Sequence, residues 1–147
     1  HALNILASIN ATEALQDVLD CFRMEDRELE FWSGDFQDRL IEPQLFALSP
    51  TQPEVIFAFL REPALNYFNR VWPAHVPGHI WNHGPELRPY IESAYIELLD
   101  FLLSDPPDGV QDIHFIDSML VTVTCIGVAS GLPLIKQLFD RELHIPE

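Results

Sequence analysis

Lysine occurs once in this chain of 147 residues, at Lys136, beside seven arginines. These bases are scattered singly, and without clustered Lys and Arg to displace phosphate counterions no direct binding of DNA or RNA is expected. The same scarcity argues against charge-driven attachment to anionic lipid. Cysteine occurs only at Cys21 and Cys125, far apart and outside any C-x-x-C spacing, so free, buried thiols in a reducing cytoplasm are expected. Glycine-rich phosphate loops are absent, and nucleotide binding therefore has no support. The longest uncharged run, between Asp117 and Lys136, is interrupted by Thr122, Thr124, Gly127, Ser130, Gly131 and Pro133. It reads as a buried core element rather than a membrane span. The opening residues carry no basic segment, so no secretory signal is expected.

What is present is acid and apolar surface. Twenty-three Asp and Glu against 8 Lys and Arg leave a formal charge of −15, while 48% of the residues are hydrophobic, ample for a packed core. The length suits one domain over residues 1–147. The charge is concentrated: residues 13 to 42 hold ten acids and three bases, −7 of the −15. Such a field repels anions and speeds encounter with a basic protein.

Hydrophobic spacing predicts helices throughout. Leu15, Val18, Leu19 and Phe22 share one face of a helix over 12–23, with Thr12 as its N-cap. A helix beginning at Ser33 or Gly34 carries Phe36, Leu40 and Ile41 inward and is interrupted at Pro43. Thr51-Gln52-Pro53-Glu54 reads as a capping box ahead of an apolar run to Leu60. After Pro63, Ala64, Leu65, Phe68, Val71 and Trp72 form a stripe with Asn66, Asn69 and Arg70 facing out. Pro73 is expected to end that helix, leaving a connection over 73–89. Pro89 opens the strongest helix, with Ile91, Ala94, Tyr95, Leu98, Leu99 and Leu102 on its buried face. Asp108 is read as the cap of the next helix, which runs to about Ala129. Its segment Leu120 to Ile126 is rich in β-branched residues, and its length decides for helix. Gly131 is read as a C-cap, and a last helix over 132–143 turns Leu134, Ile135, Leu138 and Phe139 inward. The sum is an all-α fold of about seven helices, a compact bundle or a short irregular α-solenoid of HEAT-like type, although no fixed repeat period is present.

Four groups of residues could carry function. His75, His79 and His83 recur every four residues and could present nitrogens to a divalent ion, with Glu86 as an oxygen donor. Ile80 stands where the glutamate of an H-E-x-x-H hydrolase would be, so metal binding is read without hydrolysis. His114, Asp117 and Ser118 supply the residue types of a nucleophilic triad on one helix, without a glycine-rich elbow. Glu28, Glu30, Asp35 and Asp38 surround Phe31 and Trp32, the combination of aromatic anchor and charged rim found at interfaces. Phe57, Phe59, Tyr67, Phe68, Tyr90 and Tyr95 could line a pocket or fill a core.

The reading that follows is a non-catalytic, cytoplasmic, acidic interaction module. It uses Glu28, Glu30, Phe31, Trp32, Asp35 and Asp38 to bind, and inhibit or escort, a basic protein, as an immunity protein, an inhibitor or an adaptor would. No cofactor is required. The alternative is a metal-binding or small-molecule-binding helical enzyme centred on His75, His79 and His83, and self-association into a homo-oligomer is the third reading.

Overall fold

The stripe Ile91, Ala94, Tyr95, Leu98, Leu99 and Leu102 is buried along its whole length, with no member more than 4% exposed. It belongs to one of eight helices among the described residues of the computed structural model, namely 2–24, 41–63, 65–104, 110 and 112–142, with the backbone alone at 67, 68 and 142. These are α1 (Ala2–Ser8), α2 (Leu15–Cys21), α3 (Ile41–Leu48), α4 (Pro53–Leu60), α5 (Tyr67–His83), α6 (Arg88–Leu103), α7 (Ile113–Cys125) and α8 (Leu132–Glu142). Short 3₁₀ turns at Thr12–Ala14, Pro85–Leu87 and Ala129–Gly131 lead into α2, α6 and α8. No strand occurs among the described residues, so the fold is all-α and the β-branched segment from Leu120 is helical. None of the described helices is long and apolar enough to cross a membrane.

Two successions of contacts organise these helices. α1 packs on α3, α3 on α5 and α5 on α7, while α4 packs on α6 and α6 on α8. α5 joins the two successions, because it also touches α4 and α6. Leu45, Leu48, Ile56, Leu60, Val76, Ile80, Phe115 and Val123 are all at most 1% exposed and form the shared core.

The extent of α5 departs most from the sequence expectation. It runs through Pro73 and Pro77, where a break and a connection were expected. Each proline removes one N–H from the ladder and should stop a helix standing alone. Here Pro73, Ala74, Val76, Pro77, Gly78 and Ile80 are buried against neighbouring helices, so packing outweighs the lost hydrogen bonds.

Asn69 and Arg70 are likewise turned inward rather than out, at 2% and 0% exposure. Helix α4 ends with carbonyls that have no partner in the helix. The Arg70 guanidinium supplies partners, donating from Nη1 to Leu60 O at 2.6 Å, from Nη2 to Glu62 O and from Nε to Leu65 O at 3.4 Å. It also lies over the Phe115 ring, 5.4 Å from the centroid. Burial pushes its pKa down to about 10, opposed by Glu62 and Asp112, and leaves the group charged at neutral pH.

Helix ends explain further corrections. α7 is capped by Asp112, not Asp108, with Oδ1 accepting from the N–H groups of His114 (2.9 Å) and Phe115 (3.3 Å). It closes at Gly127, not Gly131. Val128 N–H donates to Val123 O and Gly127 N–H to Thr124 O, with Gly127 at φ +74°, the paired bonds of a Schellman motif. Asn10, at φ 52°, closes α1 in the same way through Ala11 to Leu6 and Asn10 to Ala7. Gln52, not Thr51, precedes α4, without a side-chain cap, and Thr12 lies in the turn before α2 rather than capping it. Pro43 sits in the first turn of α3, where a missing N–H costs nothing, and the expected helix start at Ser33 or Gly34 lies outside the described residues. Phe139 is 48% exposed rather than inward, and Cys21 and Cys125 are free as expected but exposed rather than buried.

Candidate functional site

Glu42, in the first turn of α3, is reached by two histidines one turn apart on α5. His75 Nδ1 lies 2.7 Å from Glu42 Oε1, and His79 Nε2 lies 3.2 Å from Glu42 Oε2. A carboxylate only accepts, so both ring nitrogens carry hydrogen and donate to it. That fixes the tautomer of neutral His75: its Nε2 holds a lone pair. Nε2 stands 2.6 Å from Oγ of Ser118 on α7, placed to accept the hydroxyl proton. Three helices thus contribute one acid, one imidazole and one hydroxyl in a continuous chain of hydrogen bonds. Phe46, one turn beyond Glu42, packs its ring on those of His79 and His83, with centroids 5.9 and 5.2 Å apart.

The sequence singled out most of these residues but paired them differently. His75, His79 and His83 are the alternative candidates for a shared metal ion; the first two aim at Glu42 and the third stacks on Phe46. Among the described residues no three His, Cys, Asp or Glu side chains are grouped to hold a metal ion. Ser118 was grouped with His114 and Asp117 on its own helix, but the imidazole that reaches it is His75. His114 and Asp117 are exposed on α7. Glu42 was read only as one acid in an acidic segment. Nothing in its local pattern marks it, since its partners are 33 and 37 residues away.

A second candidate surface comes from the distribution of charge. Arg70 is sealed in the core, and Arg23 is held by Glu62, with 2.7 Å from Nε to Oε2, and by Asp20. Arg61 pairs with Glu97 at 3.6 Å, Lys136 with Asp140 at 2.6 Å, and Arg88 lies over Trp81 while donating to its carbonyl. Glu13, Asp17, Glu54, Glu86, Asp100 and Asp117 are exposed. Tyr90 stands among the acids, 42% exposed, with its ring set edge-on to Phe57. Partial burial, then Glu54 and Glu97, raise its phenol pKa. Phe57, Phe59 and Tyr95 are core residues. Glu28, Glu30, Phe31, Trp32, Asp35 and Asp38 lie outside the described residues.

No family model, curated protein or solved structure matches the chain.

Proposed function

We propose that this chain is an acidic interaction module that binds a basic protein and restrains or escorts it. The observation that carries the reading is the division of charge just described: the described bases are mostly buried or paired internally, while acids with Tyr90 among them face outward. With most described bases buried or paired, the excess of acids leaves the surface field negative, which favours encounter with a basic partner. An exposed aromatic resting on the core through Phe57 is the kind of rigid anchor on which binding energy concentrates. Glu28, Glu30, Phe31, Trp32, Asp35 and Asp38, outside the described residues, supply by composition the same pairing of acids with aromatics.

Partner capture from native lysate at low and high salt tests the reading. A basic protein is expected at low salt and is lost at high salt. Charge reversal at Glu54 and Glu97, Tyr90→Ala, and replacement of Trp32 with Glu28, Glu30, Asp35 and Asp38 should each weaken capture. Recovery of no basic partner, or capture indifferent to all of these changes, would overturn it.

A further inference from the structure

We propose that Ser118 is a nucleophile, activated by His75 and positioned through Glu42, that accepts an acyl group from an uncharged or cationic ester. This goes beyond the partner surface and does not depend on it.

The inference rests on the direction of each hydrogen bond. Glu42 accepts a hydrogen bond from Nδ1–H of His75, which leaves the Nε2 lone pair of the neutral ring directed at the Ser118 hydroxyl. A hydroxyl is a weak nucleophile until an adjacent base removes its proton, and a base is oriented best by a third group behind it. All three roles are filled here, at 2.6 and 2.7 Å, by side chains from three different helices. The second oxygen of Glu42 is held by His79, so the carboxylate is clamped at both oxygens. The site is open to solvent as well, because the His75 and Glu42 side chains keep 30% and 22% of their surface and Ser118 is half-buried. The negative field and the Glu42 carboxylate disfavour phosphates and carboxylates, which sets the substrate class.

In the step proposed, Ser118 Oγ attacks the ester carbonyl and its proton passes to His75 Nε2. The Oγ–C bond forms, the bond from carbon to the leaving oxygen breaks, and that oxygen departs with the proton from His75. Water reverses the sequence, releasing the acid and restoring the hydroxyl. Ser118 lies within α7, where its own N–H belongs to the helical ladder, so the usual backbone oxyanion donor at a nucleophile is missing. One such donor is worth roughly 10²–10³ in rate. Acylation with slow release, rather than rapid turnover, is therefore expected.

The test treats the folded chain with an uncharged fluorophosphonate and maps adducts by peptide mass. Oγ attacks phosphorus, fluoride leaves and His75 takes the proton. Ser118 is expected to label on the order of 10²-fold faster than the exposed Ser93 and Ser104, and the preference disappears in urea. His75→Gln should remove the preference. Glu42→Gln keeps an acceptor but loses the charge and should slow labelling at least about tenfold, while Glu42→Asp labels faster than Glu42→Gln. With p-nitrophenyl acetate, a burst should leave acetyl on Ser118. Labelling of Ser118 no faster than Ser93, equal rates in folded and unfolded chain, or acetyl found on His75 or His79 alone would overturn the proposal. If a variant fails to fold, the comparison among serines of the unaltered chain decides.

Discussion

Gly78 lies against Thr122 so closely that a Cβ added to it would stand 2.8 Å from Thr122 Cγ2. Gly78 follows His75 by three residues on α5, and Thr122 follows Ser118 by four on α7. The missing side chain is what lets the helix bearing the imidazole approach the helix bearing the hydroxyl. Thr122 has little room to yield, since it is β-branched and its Oγ1 donates to Ser118 O at 3.1 Å.

Gly78→Ala should therefore destabilise the fold although alanine is the better helix former. The propensity gain is about 1 kcal/mol, whereas overpacking costs roughly 1–3 kcal/mol and here meets a locked side chain. The expected net loss is about 1 kcal/mol in urea unfolding, with weaker labelling of Ser118. Combining it with Thr122→Ser, which removes the obstructing methyl, should restore both. A stabilised single variant would show that the two helices are not held at this distance by Gly78.

Arg70 makes a second prediction. Its guanidinium donates to the carbonyls of Leu60, at the end of α4, and of Glu62 and Leu65 in the connection that follows. Arg70→Leu leaves these buried acceptors without that partner, at about 1–3 kcal/mol each, so a loss of at least about 3 kcal/mol is expected. Arg70→Lys should recover little, because a point-like ammonium cannot span three acceptors in the fork geometry. Calorimetric unfolding of both variants measures this, and a lysine variant as stable as the unaltered chain would refute the bridging role.

These two residues show which parts of the structure could be read in advance. The face of α6 was legible because its stripe from Ile91 to Leu102 records burial directly in three-four spacing. Helix α5 was not, because Pro73 and Pro77 signal a break locally, while the surfaces that keep the helix intact belong to other helices. Arg70 was misplaced for a related reason: a charged side chain reads as exposed unless the acceptors waiting for it are known. The candidate site follows the same rule. His75 and Ser118 each stand out in the sequence, but spacing reports only neighbours on one helix, and the bond between them spans 43 residues.

The cap of α7 is a local feature whose cost is easily isolated. Asp112 accepts from His114 and Phe115 at the helix start. Asp112→Ala should cost about 1 kcal/mol, and Asp112→Asn, which keeps an accepting oxygen, a few tenths. Chemical denaturation of the pair separates the hydrogen bond from the charge. Equal losses in both variants would mean that the charge, through the helix dipole and Arg70, is the larger contribution.

Tyr95 predicts a response to alkali. Its ring is fully buried, edge-on to Phe57 at 5.0 Å, and its hydroxyl donates to Ala74 O at 3.4 Å. Burial raises its phenol pKa far above the usual value. The folded chain thus retains a proton that the unfolded chain releases near pH 10, so the native state binds more protons above that pH. The contribution is complete below about pH 10 and falls as pH rises from there toward the raised native value. Tyr95→Phe removes this proton from both states. At neutral pH its loss should be under about 1 kcal/mol, since the hydrogen bond is long and the ring remains. Tyr90 is shifted in the same direction, so the difference between the unaltered chain and Tyr95→Phe isolates Tyr95. Urea midpoints from pH 7 to 11 should show the unaltered chain more stable at first and the gap closing above about pH 10. Parallel profiles over that range would show that Tyr95 does not link its proton to folding.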